Sequence, residues 1–285
     1  MPNHVIVSTL NWSENSLEKA VANVAALEFG QIDLALHEGW AHLNPSDLAA
    51  GGADRVRRES DRLHALIGRH AMKRVSAFNV GLGECSAEEQ TKRLQAVCDL
   101  ARALDVTVLT LMAARWGSSL VHEADRLRRL LPVARERGVL LTVQTHREQV
   151  TAMADAVLRL CELAPGLGVT LDASHLHAGP NRGADYSALL PHVRLVHLRD
   201  ATRDHLQVPA GAGEVDFRGL VTRLHQLRYE GKFAIKYVDR VPTVIPAALP
   251  ASFAGEPSTE VSANVLRMRD LFVAAEKAQG IVRAS

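Results

Sequence analysis

Short β-branched runs alternate with longer amphipathic runs along almost the whole chain, and this alternation restricts the folds open to it more than any other feature. The extended candidates are His4–Leu10, Ile32–Leu36, Val75–Phe78, Val106–Leu111, Val139–Val143, Val169–Leu171, Val193–Leu198 and Phe233–Tyr237. The segments between them repeat apolar residues at helical spacing. Leu94, Val97, Cys98, Ala101 and Leu104 form one such stripe, opened by Ser86-Ala87-Glu88-Glu89, in which Ser and Glu can satisfy free amides at a helix start. Asn15 with Glu18 suggests a similar opening for the first helix. Strands that alternate with helices pair in parallel through right-handed crossovers. Eight such units predict a single (β/α)8 barrel, a TIM barrel, over residues 1–285. The competing architecture is a doubly wound open sheet, but no glycine-rich phosphate turn follows the first strand.

Bulk properties narrow the function. A net charge of +1 with 23% charged residues gives no electrostatic footprint for nucleic acid or an anionic membrane. No apolar run reaches the roughly 18 residues of a membrane span, and the N-terminus lacks the basic region of a secretion signal. Three scattered cysteines, Cys85, Cys98 and Cys161, argue for a reducing compartment, so the expected location is cytoplasmic. Cys98 and Cys161 sit at helical spacing among apolar residues and read as core fillers. One irregular stretch, Val241–Pro257, carries Pro242, Pro246, Pro250 and Pro257 beside several apolar residues. It reads as a lid, as a contact between subunits of a homo-oligomer, or as a loop packed on its own barrel.

In such a barrel the reactive groups stand where the strands end. The fifth strand ends Val143-Gln144-Thr145-His146 and the sixth gives Asp172-Ala173-Ser174-His175. The seventh gives His197-Leu198-Arg199-Asp200, with Arg203 beyond it, and the eighth gives Ile235-Lys236-Tyr237. Alternation puts Gln144, Asp172 and Lys236 on the inner face, opposite bulky Val143, Leu171 and Ile235. Four consecutive strands therefore deliver polar groups to one mouth. The tryptophans Trp12, Trp40 and Trp116 each follow a strand, and Phe78 ends one. They predict an aromatic wall over the other half of the mouth, suited to stacking on a sugar, cyclitol or aromatic ring. Asp33, His37 and Glu38 are further candidates for hydroxyl contacts.

The strings Leu171-Asp172-x-x-His175, Val196-His197-Leu198-Arg199-Asp200 and Pro209-x-Gly211-x-Gly213-Glu214-Val215-Asp216-Phe217 resemble the xylose-isomerase-like superfamily of sugar isomerases and epimerases. The resemblance implies a divalent ion held by Glu, Asp, His and Glu on the last four strands, with the two glutamates moving a proton between carbons. It assigns metal-binding roles to Asp172 and His197, substrate-orienting roles to His175 and Arg203, and makes His146 a familiar residue of the site. Gln144 and Lys236 stand where the two glutamates belong.

That departure changes the chemistry. A hard dication wants several anionic oxygens, and these positions supply one carboxylate and one ammonium. Asp172 and Lys236 are formally neutral together with no ion present. The expectation is a metal-free site in which Lys236, His146, His175, Asp172 and His197 carry catalysis. Arg203, Gln144, Trp12, Trp40, Trp116, His37 and Glu38 would contact a small-molecule substrate. No cofactor is expected; the alternative is one divalent ion (Zn, Mn, Mg or Co) on Asp172, His197, His175 and His146. The expected reaction is isomerisation, epimerisation or elimination on a small polyhydroxylated carbonyl compound. The competing reading is a non-catalytic carbohydrate-binding protein or partner subunit derived from such an enzyme. A DNA-repair endonuclease, known from one branch of the superfamily, is disfavoured by the charge and by the missing strand-end ligands.

Overall fold

The computed structural model describes residues 3–238 and 261–281. Eight parallel strands close into a barrel in sequence order. They are β1 (Val5–Ser8), β2 (Gln31–His37), β3 (Arg74–Gly81), β4 (Val108–Leu111), β5 (Leu140–Gln144), β6 (Gly168–Asp172), β7 (Val193–Leu198) and β8 (Lys232–Ile235). Closure is made by β1 against β8, with Val5 opposite Phe233 and Val7 opposite Ile235. The helices are α1 (Leu17–Ala26), α2 (Pro45–Arg69), α3 (Ala87–Ala103), α4 (Leu120–Arg135), α5 (Ala154–Leu163), the short α6 (Ala173–His177), α7 (Phe217–Gln226) and α8 (Val261–Ala278). The expected single (β/α)8 barrel is thus the observed architecture. The proline-rich stretch 241–257 lies outside the described residues. Among the described residues, no helix is long and apolar enough to cross a membrane.

Local chemistry sets the helix starts. Ser86 accepts a hydrogen bond from the Glu89 amide at 3.1 Å, as the capping pattern predicts. At α1 the cap is Ser16, which accepts from the Lys19 amide, rather than Asn15. The stripe Leu94, Val97, Cys98, Ala101 and Leu104 is buried along its full length. Cys98 and Cys161 are free and buried in the main core, and burial pushes their thiols up to about 12 and about 11.

Strand alternation divides the interior into two compartments. Outward residues such as Val7, Leu34, Phe78, Val143, Leu171 and Phe233 join the helices in one large core. Inward residues stack in layers. Ile6, Ala77, Leu195 and Ala234 form an apolar floor. Within the barrel too, the hydroxyls of Thr110, Thr142 and Thr170 form a triangle with edges of 2.7, 2.6 and 3.3 Å. The ionisable groups crowd the C-terminal ends of the strands.

Candidate active site

Lys236 follows β8 directly, and its orientation is fixed by its neighbours. Its amide donates to the Leu198 carbonyl at 3.0 Å. The next amide, of Tyr237, donates to Asn11 Oδ1 at 2.6 Å, and Asn11 Nδ2 donates back to the Ile235 carbonyl at 3.2 Å. Tyr237 turns outward into the large core. Lys236 therefore turns into the barrel, where it is 6% exposed. Its Nζ donates to Gln144 Oε1 at 3.0 Å, and Gln144 Nε2 donates to Asp172 Oδ2 at 3.2 Å. Burial, reinforced by the Arg199 guanidinium, lowers the ammonium to about 8.

Arg199 is the residue that sequence reading passed over. It is 1% exposed and takes the Asp172 carboxylate itself, Nη2 to Oδ2 at 2.7 Å. Its Nε donates to Ser174 Oγ at 3.0 Å, and that hydroxyl donates to Asp172 Oδ1. In place of a direct pair between Lys236 and Asp172 there is a relay through Gln144, because the Arg199 guanidinium already holds the carboxylate. The inward series Leu195, His197 and Arg199 continues the β7 alternation one step, and that alternation is the feature from which Arg199 was legible.

His146 and His175 stack with ring centroids 3.9 Å apart. The Arg147 amide donates to His175 Nδ1 and the Glu148 amide to His146 Nδ1, each at 3.3 Å. An amide can only donate, so both Nδ1 atoms are acceptors. In the neutral rings the protons then sit on Nε2. Burial first, then the nearby cations, hold both imidazoles well below their ordinary range. The site therefore contains two neutral N–H donors, and the His175 one points towards Asp172, 3.8 Å from Oδ2.

His197 stands between two carboxylates, 3.9 Å from Asp172 Oδ2 and 3.9 Å from Asp33 Oδ2. Neither ring nitrogen of His197 nor either carboxylate oxygen of Asp33 has a hydrogen-bond partner, and both residues are fully buried. Burial raises the Asp33 carboxyl to about 6 and pushes the His197 ring well below its ordinary range. Buried polar atoms left unpaired are costly, and here they are concentrated at the centre of the barrel.

The remaining candidates separate. His37 is buried, bonds Asn79 Oδ1 at 2.7 Å and meets Trp40 edge-on at 5.1 Å between centroids. Trp40 packs with Leu10, Ala35, Ala41 and Val238 within the mouth, and its buried indole N–H has no partner. Trp12 and Phe78 do not join it. The first strand stops at Ser8 and rolls into a 3-10 turn over Thr9–Trp12, which carries Trp12 into the large core. The third strand runs on to Gly81, so Phe78 lies within it on the helix-facing side. Trp116 is 54% exposed. The expected wall reduces to Trp40 and His37. Glu38 is committed elsewhere: it accepts from the Ser46 amide at 2.9 Å at the start of α2 and pairs with Arg93 at 3.4 Å. Arg203 is exposed at the rim, beside Arg147 and Arg182.

The glycines of the 209–217 motif serve Asp200. Its carboxylate accepts from the amides of Gly211 at 2.9 Å, Gly213 at 3.0 Å and Val215 at 3.4 Å. A Cβ on Gly213 would meet Asp200 Oδ1 at 2.0 Å. The motif is a brace for the loop after β7, which also carries Arg203.

A divalent ion does not fit the positions that the resemblance implies. At Gln144, Asp172, His197 and Lys236, an ammonium and a guanidinium already engage the oxygens that an ion would need. In the alternative set both Nδ1 atoms of His146 and His175 are taken by amides. Among the described residues, no three His, Cys, Asp or Glu side chains group as a metal site.

Solved structures share this architecture at low identity. That of L-ribulose 3-epimerase is similar over 98% of this chain and 98% of its own, with 16% identity and a TM-score of 0.69. A xylose isomerase-like TIM barrel protein from Mycobacterium smegmatis, in complex with magnesium, matches 99% of this chain and 100% of its own at 14% identity, TM-score 0.71. A probable 3-DHS dehydratase involved in petrobactin synthesis, from Bacillus anthracis, covers 94% of this chain and 98% of its own at 13% identity, TM-score 0.66. No curated protein matches by sequence. The model of the xylose isomerase-like TIM barrels matches residues 21–269, and by that span the chain belongs to this family, with a cationic centre where the resemblance leads one to look for carboxylates.

Proposed function

We propose that the protein is an enzyme that moves a proton at the carbon next to a carbonyl in a small polyhydroxylated compound, without a metal ion. The observation that carries this reading is the buried amine of Lys236, lowered to about 8 at the centre of the mouth. Near neutral pH such a lysine exchanges readily between ammonium and amine. The amine takes the C–H proton, and the electron pair moves onto the carbonyl oxygen to give an enediolate. The Nε2–H donors of His146 and His175 meet the developing negative charge, as neutral imidazoles can. Asp33, with both oxygens unpartnered, receives substrate hydroxyl hydrogens. Arg199 and Ser174 hold Asp172, which keeps Gln144 and through it the lysine in place.

Protonating the same carbon from the opposite face, by a second donor such as an imidazole Nε2–H while Lys236 keeps the first proton, gives epimerisation. Returning it to the neighbouring carbon gives isomerisation, and expelling a β-hydroxyl as water gives elimination. The three share the first step, and the reading covers all of them. The solved relatives include epimerases and a probable dehydratase, which supports that breadth.

The test is solvent deuterium uptake by a panel of ketoses, cyclitol ketones and keto acids, followed by NMR, on protein purified without chelator and assayed for metals. Exchange that survives chelation and disappears in Lys236→Met supports the reading. A stoichiometric ion whose removal abolishes exchange overturns the metal-free part. One observation favours a second reading: Lys236, Gln144, Asp172 and Arg199 are already joined end to end by hydrogen bonds, as in a binding site without chemistry. Saturable sugar binding with no exchange across the panel would support that reading instead.

A further inference from the structure

His175 rides on a helix too short to support itself. α6 runs only from Ala173 to His177 and has no side-chain cap at its start. A single helical turn fixes several residues for one hydrogen bond, which is unfavourable in isolation. At its beginning the helix is pinned by Arg199, which holds Asp172 at 2.7 Å and Ser174 at 3.0 Å.

The last residue of the helix has a tie of its own. His177 Nε2 lies 2.8 Å from Glu214 Oε2. A carboxylate only accepts, so this nitrogen carries the proton. Glu214 belongs to the motif Pro209–Phe217, whose glycines serve Asp200. Its amide donates to the Ala201 carbonyl at 2.8 Å, and the amides on either side, of Gly213 and Val215, donate to the Asp200 carboxylate. The Asp200 amide donates in turn to Tyr237 Oη at 3.2 Å. A run of bonds thus leads from the neighbour of Lys236, across the loop after β7, to the end of the helix that carries His175. The His177 bond, then the Arg203 amide and the nearby positive charge, hold the Glu214 carboxyl below its ordinary range. Beyond the helix the chain is tied separately to α5, where Asn181 Oδ1 accepts from the Ala154 amide at 3.1 Å.

We infer that Glu214 is a positioning residue for the proposed proton transfer: by holding His177 it keeps α6 wound and keeps the His175 Nδ1 against the Arg147 amide. That bond is 3.3 Å long, at the outer end of the range, so a small turn of the helix would lose it. Without it the ring is free to carry its proton on Nδ1, and the Nε2–H donor is lost. The inference rests on the proposed function for the reaction that it serves, whereas the hold on the His175 tautomer does not depend on it.

The test compares the wild type with Glu214→Ala and Glu214→Gln. Glutamine keeps an oxygen that accepts from His177 Nε2–H. Nitrogen-15 shifts of the His175 ring, kcat and KM for deuterium uptake, and the urea midpoint are measured for each. In Glu214→Ala, His175 should become a mixture of tautomers and kcat should fall about fivefold, with KM changed less than about twofold. Glu214→Gln should restore most of both. The urea midpoint should stay near the wild-type value, because the Glu214 side chain is 55% exposed. An unchanged His175 shift in Glu214→Ala overturns the inference, and so does a mixed tautomer with unchanged kcat. A loss that falls on KM, or that glutamine does not restore, makes Glu214 a rim charge and overturns it as well. If no compound exchanges with the wild type, the proposed function falls, and the nitrogen-15 shifts alone decide the hold on His175: a mixture in Glu214→Ala keeps it, and an unchanged shift removes it.

Discussion

Lys236 Nζ lies 3.0 Å from Gln144 Oε1, so a neutral amide, not a carboxylate, faces the buried ammonium. Burial first, then the Arg199 guanidinium, lower the lysine to about 8, and the neutral amide adds no charge to oppose them. If the amine is the base, exchange rises with pH and reaches half its plateau near pH 8. Gln144→Glu puts a full negative charge on that contact and favours the ammonium. The midpoint then moves upward and the rate at pH 7 falls, which a pH–rate profile of deuterium uptake would record. An unchanged midpoint would separate Lys236 from the titrating step.

The tautomers of His146 and His175 are open to direct observation. Both should remain neutral, with protons on Nε2, at and above the pH where an ordinary imidazole titrates, because burial and nearby cations hold them well below their ordinary range. Nitrogen-15 chemical shifts of the labelled imidazoles check this. Titration of either ring near pH 6.5 would contradict the arrangement.

Asp33 should make the fold pH-dependent. Its carboxyl is raised from 3.8 to about 6 in the native state, by burial. Between those values the native state keeps a proton that the unfolded chain releases, so stability falls as pH rises from about 4 to 6 and stays low above that. The loss is on the order of 3 kcal/mol. Asp33→Asn removes this contribution, so urea unfolding should show the variant gaining stability at pH 7.5 relative to pH 4. The same variant should lose exchange activity, if the unpartnered oxygens serve substrate hydroxyls.

The brace at Asp200 gives a prediction confined to structure. Gly213→Ala forces a Cβ into the Asp200 carboxylate and must displace the loop. Asp200→Ala frees the amides of Gly211, Gly213 and Val215. Each change should lower stability by about 2–3 kcal/mol, measured by denaturant unfolding.

Trp12 and Trp40 should respond differently to truncation. Trp12→Ala removes a core side chain and should cost about 3–5 kcal/mol. Trp40→Ala should weaken ligand binding with a smaller effect on unfolding. Paired calorimetry and urea titrations distinguish the two outcomes.

The barrel was readable in the sequence because alternation of strand and helix is a long-range pattern, repeated too often to mislead. The inward set Gln144, Asp172, His197 and Lys236 was readable for the same reason, since period two fixes the face once one residue is placed. Strand ends were not. A continuous run from His4 to Leu10 does not reveal that the chain leaves the sheet at Ser8, and that early exit takes Trp12 from the mouth to the core. Phe78 was misplaced because β3 continues three residues further than its β-branched part, through Asn79 to Gly81. Which cation holds Asp172 depends on reach and angle across the barrel, and pattern says nothing of these. The rim arginines come from three loops, and Arg182 has no periodic neighbours to mark it.

The threonine triangle has a bearing on isotope experiments. Hydroxyls of Thr110, Thr142 and Thr170 bond to one another inside the barrel and offer no base that could store a charge. In the proposed reaction, a hydron lifted from the substrate finds no base among them, and its exchange with solvent is expected to pass by way of the mouth. Turnover faster than that escape would hand the original hydron back, so label should wash out more slowly than product forms, and the deficit would measure how tightly the entrance is stoppered.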